Sequence, residues 1–267
     1  MSHVERIRIG SVEVQTVCEG FAGLALSEES PGVDWEAERA RRPWVFQGTD
    51  GWRWHVHAFV LWTSSGCVVV DTGVGGFGPY RPWVESYAGA WAGVEPAEVG
   101  HVVLTHLHAD HAGGTVGAGG APRFPNAVYH VHPADWEHFT AEPDPDLYDA
   151  RLAMEPILVA GMLDLHEDDH EVSPGVHVMH SPGHTPGHRS VLLRDEEATL
   201  LLTGDLLHLP IQVEHPDLPS SHDEDPELGC ASRRVLLDQA RRGTWDVAVP
   251  HFARPFGHVE ETGWQER

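Results

Sequence analysis

The segment Thr105-His-Leu-His-Ala-Asp-His-Ala-Gly-Gly114 constrains this chain more than any other part of it. It follows directly on His101-Val-Val-Leu104, an apolar run that reads as a short buried strand. His106, His108, Asp110 and His111, all able to bind a metal, crowd into this one short stretch. In an extended chain alternate residues share a face, so His106 and His108 point one way while Asp110 and His111 fall at the following turn. One segment can therefore serve two metal ions a few ångström apart. Gly113 and Gly114 are expected to let the backbone turn sharply beside them. Imidazole and carboxylate together suit zinc, with manganese, iron or cobalt as alternatives. The competing reading is a solvated, histidine-rich surface, since the chain holds 21 histidines against 17 lysines and arginines. The tight spacing straight after an apolar strand favours the metal.

The rest of the chain reads as alternating strands and helices. Ile7 to Val17 alternates, and His57–Trp62 with Cys67–Asp71 reads as a hairpin joined at Ser64–Gly66. Helices are expected over Pro82–Trp91, from Pro133, over Leu147–Ala160 and over Pro226–Arg242. Strands are expected at Ala127–Val131, Gly175–His180, Arg189–Leu193 and Thr199–Leu202, with Asp246–Val249 as the last. Residues 28–55 read as a long irregular loop or arm carrying Trp35, Trp44, Trp52 and Trp54. No composition break or repeat divides the chain, so residues 1–267 are read as a single α/β domain.

Charge excludes several partners. With 41 acidic residues the formal net charge is −24, which opposes nucleic acid and anionic membrane surfaces. No apolar run approaches the roughly 18 residues of a membrane span. The charged start, Met1 to Ile9, lacks the apolar core of an export signal, and Cys18, Cys67 and Cys230 are too far apart for a zinc ribbon or disulfide framework. A cytoplasmic protein acting on a small molecule is expected.

Five pieces of the sequence together resemble the metallo-β-lactamase-fold hydrolase superfamily. They are Val68-Val-Val-Asp71-Thr-Gly73, the His106–His111 segment, Ser181-Pro-Gly-His184-Thr-Pro-Gly-His188, Leu201-Leu-Thr-Gly-Asp205 and Val249-Pro-His251, in the family's order and each at a strand end. The resemblance implies an αββα sandwich with a dinuclear metal site at one edge between two sheets. It assigns His106, His108 and His184 to one ion and Asp110, His111 and His251 to the other, with Asp205 bridging both. Asp71 is read as orienting a ligand, against a plain turn aspartate. His188 and His180 are read as packing support. The run Asp164-Leu-His-Glu-Asp-Asp-His170 also mimics metal spacing but is expected to be a solvated loop, and His130, His132 and His138 are expected at the surface.

The expected chemistry is hydrolysis of a carboxylic ester or lactone by a metal-bridging hydroxide, with Asp110 moving the proton to the leaving group. No GxSxG elbow supports a serine nucleophile. The stretch Gly204–Gln212 is similar to the branch of N-acyl-homoserine lactonases and methyl-parathion-hydrolase-like enzymes. His208 stands where many of those lactonases carry a tyrosine, and it is taken as a further catalytic residue, against a packing histidine. That departure keeps a phosphotriester hydrolase as the alternative. Trp52 and Trp54 are expected to wall the substrate pocket, or else to cap the core or join a homodimer. A metal-binding protein without activity is the contrasting reading, opposed by the filling of every expected ligand position.

Overall fold

The structure is a computed structural model, and it describes residues 4–26, 30, 32–41, 43, 46, 51–76, 85–86, 89–117, 119–141 and 149–267. Its strands form two sheets. The first runs in the order β1 (Arg6–Ile9), β2 (Val12–Leu24), β3 (Trp52–Thr63), β4 (Gly66–Val70), β6 (Val99–Val103), β7 (Val128–Val131) and β8 (Leu163–Leu165), with β5 (Glu85–Ser86) pairing on β2. The second runs β15 (Gly263–Glu266), β14 (Phe256–Glu260), β13 (Asp246–Ala248), β12 (Ala198–Leu202), β11 (Arg189–Asp195), β10 (Val176–His180) and β9 (His170–Ser173).

Alternation explains why these strands stack in layers. Phe59 and Leu61 of β3, Val68 and Val70 of β4, and Val103 of β6 face inward. There they meet Val191 and Leu193 of β11 and Leu200 and Leu202 of β12 in one core between the sheets. The intervening residues point outward to helices. Val60, Val69 and Val102 pack under Trp136 and Phe139 of α3 (Pro133–Ala141) and Met154 and Ile157 of α4 (Ala150–Val159). Leu192, Leu201 and Val247 share a core with Ile211 of α5 (Ile211–Glu214) and with Leu236 and Leu237 of α6 (Pro226–Gly243). Both faces of the central strands are buried, which is why they read as unbroken apolar runs. The layers are helix, sheet, sheet, helix. Among the described residues no helix is long and apolar enough to cross a membrane.

Several local expectations are corrected. The helix expected over Pro82–Trp91 falls partly outside the described residues, and its described part is otherwise formed. Glu85 and Ser86 pair with Phe21 and Gly20, and turns with positive φ at Gly89 and Gly93 follow. The segment 28–55 is not one irregular loop, because Trp35 opens α1 (Trp35–Arg41), while Trp52 and Trp54 belong to β3; Trp44 lies outside the described residues. Asp246–Ala248 is not the last strand, since β14 and β15 continue the sheet beyond it. The run from Asp164 to His170 is not a free loop, for its ends are β8 and β9. His130 and His132 are buried, whereas His138 is exposed.

Candidate metal centre

Successive strand ends deliver the polar groups. His106 and His108 leave the C-terminal end of β6, and α2 (Ala109–Ala112) turns Asp110 and His111 inward. His184 comes from the turn between β10 and β11, Asp205 from the end of β12, and His251 from beyond β13. The same chain geometry therefore repeats: an apolar strand anchored in the core ends in a candidate donor at its tip.

These residues gather into two adjoining groups. His106, His108 and His184 each place one ligand atom within 4.8 Å of the other two, and Asp110, His111, Asp205 and His251 do the same. Asp205 stands between them with an oxygen toward each group. Its Oδ1 lies 2.9 Å from His251 Nε2 and 3.1 Å from His111 Nε2. Its Oδ2 lies 3.4 Å from His184 Nε2 and 3.8 Å from His106 Nε2.

Hydrogen bonds outside the centre fix which nitrogen each ring turns inward. His111 Nδ1 donates to Asp71 Oδ2 at 2.8 Å, and His251 Nδ1 donates to the His55 carbonyl at 2.8 Å. His106 Nδ1 meets Thr105 Oγ1 at 3.0 Å, and His184 Nδ1 lies 3.4 Å from Asp223 Oδ1. In each ring Nε2 is left facing the centre, the tautomer a metal ligand needs. His106 Nε2 is buried there without a hydrogen bond, and Asp110 Oδ2 faces His111 Nε2 at 2.9 Å. A buried nitrogen without a partner is costly, so the convergence of these donor atoms on one point fits divalent cations.

Electrostatics agree. Burial drives His106 and His184 well below the usual histidine range and His108 down to about 4, keeping their lone pairs available. Burial also opposes the charged form of His111, yet the Asp110, Asp205 and Asp71 carboxylates outweigh it and raise its pKa well above the usual value. Burial opposes the charge on Asp110 as well, but His111 overcomes this and holds its carboxyl down at about 2. A proton on His111 thus neutralises part of a negative hollow where a divalent ion would serve better.

Supporting residues include several that sequence reasoning had left aside. Asp71 also accepts from Thr105 N at 2.8 Å and from Thr105 Oγ1 at 2.9 Å, which ties β4 to the strand end that carries His106. Asp135 accepts from Thr185 Oγ1 at 3.0 Å and from Gly187 N at 2.6 Å, bracing the His184 loop. His188 Nε2 accepts from Asp205 N at 2.9 Å, so this histidine positions the carboxylate between the groups. Gly204, with φ +54°, is required here, since a Cβ on it would stand 2.6 Å from His188 Nε2. Gly113 keeps a helical φ of −63°, so its need is close approach and not an unusual turn; a Cβ on either Gly113 or Gly114 would collide with the Val74 or Thr72 carbonyl.

His208 reaches the centre, with Nε2 3.0 Å from Asp205 Oδ2 and its ring stacked 5.6 Å from that of His251. Trp54 lies against His251, ring centroids 4.5 Å apart, and Phe139 against His108 at 5.1 Å. Trp52 does not line this region. It shares a face of β3 with Trp54 but sits two residues nearer the start of the strand, buried edge-on to Phe252 in the core beneath the second sheet.

Residues 51–251 match the family described as the Metallo-beta-lactamase superfamily. An N-acyl homoserine lactonase of a Bacillus species is 40% identical over 147 residues, covering 55% of this chain and 53% of that protein. The chain spans about half the length of the curated relatives it matches. Among solved structures, the hydrolase AbOPH of the beta lactamase superfamily has a TM-score of 0.85 at 19% identity, covering 100% of this chain and 98% of that one. AidC, a dizinc quorum-quenching lactonase solved with a product, has a TM-score of 0.82 at 19% identity, covering 99% and 97% of the two chains. At such identities these likenesses show the fold.

Proposed function

Because the chain belongs to the metallo-beta-lactamase superfamily, we propose that it is a single hydrolase domain that opens lactones, N-acyl homoserine lactones first among them, at a centre of two zinc ions. The observation that carries this reading is Asp205, whose two oxygens each face a separate donor group. His106, His108 and His184 would hold one ion, Asp110, His111 and His251 the other, and Asp205 would span both. Imidazole with few carboxylates is the donor set zinc prefers, and the named activity of the Bacillus relative points to the lactone. Two such ions supply Lewis-acid polarisation of a carbonyl and a water acidified to near neutrality.

The chain's own residues do the rest. Asp71, Asp223 and the His55 carbonyl hold the ligand rings in register. Asp110 is ionised, with Oδ2 2.9 Å from His111 Nε2, and its carboxylate would take the proton that the attacking water gives up and return it to the leaving alcohol. His208 Nε2 donates to Asp205 Oδ2 and keeps that carboxylate aimed between the groups. Trp54 and Phe139 flank His251 and His108 with apolar surface, which suits an acyl chain and keeps water from the rings.

The test is ring opening of an N-acyl homoserine lactone by zinc-loaded protein, followed by acid release, beside an aryl ester and a phosphotriester. The lactone is expected to turn over fastest. Hydrolysis of the phosphotriester alone would replace this reading, and bound zinc without turnover of any of the three would leave a metal-binding protein.

A further inference from the structure

The edges of the two sheets meet at β8 and β9, and a separate set of donors gathers there. His130 on β7, Asp164 on β8 and His170 at the start of β9 each place one ligand atom within 4.8 Å of the other two. None of them belongs to the centre described above. We propose that His130, Asp164 and His170 bind a further divalent transition-metal ion of the zinc type, which clamps the first sheet to the second at this edge.

The ring of His170 is set for ligation. Its Nδ1 donates to the Asp168 carbonyl at 2.9 Å, which leaves the lone pair on Nε2. That Nε2 is buried and makes no hydrogen bond. A histidine donating its far nitrogen to a carbonyl while its near nitrogen sits dry and unmatched is in the state a metal ligand adopts.

His130 and Asp164 complete the set. His130 Nδ1 lies 3.0 Å from Asp164 Oδ2, and its Nε2 lies 3.0 Å from His101 Nδ1. With Nε2–H donating to His101, the Nδ1 lone pair faces a carboxylate oxygen, an arrangement that a cation between them stabilises. Two imidazoles and one carboxylate leave a fourth position to water, a common zinc arrangement. His166 stands beside His170, ring centroids 4.1 Å apart, with its Nδ1 3.2 Å from the same Asp168 carbonyl. The buried cation Arg189 acts on Asp169 and Asp135 as well as on Asp164, so its charge is shared among three carboxylates.

The ligands come from three strands of two sheets, so the ion would tie together β8 and β9, the edge strands of the two sheets among the described residues. The test is elemental analysis of the whole protein after equilibration with micromolar zinc and desalting. His170→Ala is expected to carry one ion per chain fewer than the wild type, with its hydrolytic rate unchanged. Asp164→Asn keeps shape and volume and is expected to lose the same ion, which covers the case in which the alanine variant does not fold. In the asparagine variant the rise in thermal midpoint on adding zinc is expected to be smaller than in the wild type. Equal metal content in wild type and both variants overturns the proposal. The reading is a difference between proteins, so it holds whatever the occupancy or activity of the main centre.

Discussion

Asp71 adopts φ +60°, a backbone conformation that costs an aspartate on the order of 1 kcal/mol, and it does so where its carboxylate meets both Thr105 and His111. The strained turn aims an acceptor at His111, so under the proposed assignment the turn and orienting readings of this residue coincide. Asp71→Ala is expected to weaken zinc binding on the order of 10–100-fold, as loss of a ligand's outer partner does, in competition with a chromophoric chelator. Unchanged affinity would reduce Asp71 to a turn residue. His208→Phe is expected to slow hydrolysis with little loss of metal, since a phenyl ring keeps the packing on His251 and loses the hydrogen bond to Asp205 Oδ2; an unaltered rate would return it to packing. The ligand candidates were legible in the sequence because ligation demands particular residue types at strand tips. Asp223 and Asp135 were not, and His188 was read as support without its partner Asp205, because a supporting hydrogen bond can come from many residue types and depends on a distant loop arriving beside it.

Whole elements were legible where burial writes its period into the chain. Val68–Val70 and Leu200–Leu202 are buried on both faces, and the long α6 is marked by Pro226 after the capping Asp225, whose carboxylate accepts from Leu228 N at 3.0 Å. The elements that escaped are short and lie toward sheet edges. β8, β9, β14 and β15 carry charged and polar residues and exist through pairing, so nothing in their own composition announces them. Close approach was equally hidden. The turn after α2 presses Gly114 against the Thr72 carbonyl, so Gly114→Ala is expected to destabilise the protein by about 1–3 kcal/mol, read as a lowered denaturation midpoint. A midpoint equal to that of the wild type would show that the backbone there can give way.

For the molecule as a whole, the buried histidines set the response to acid. Burial holds His57 down to about 3 and His188 to about 4, so both are neutral in the folded protein near neutral pH. In the unfolded chain each takes up a proton near pH 6.5. Stability is therefore fully present above pH 6.5 and is lost as pH falls toward 4, by on the order of 2 kcal/mol per such histidine at pH 5. Urea unfolding at pH 7 and pH 5 is expected to show the lower midpoint at pH 5, and equal midpoints would mean that these rings are protonated in the fold. The two layered sheets serve this end by bringing strand tips from both halves of the chain to one rigid cluster. Anomalous scattering from crystals of zinc-loaded protein tests that cluster most directly. The account predicts two peaks about 3.5–4 Å apart, one on each side of the Asp205 carboxylate; a single peak there, or none in contact with Asp205, would contradict it.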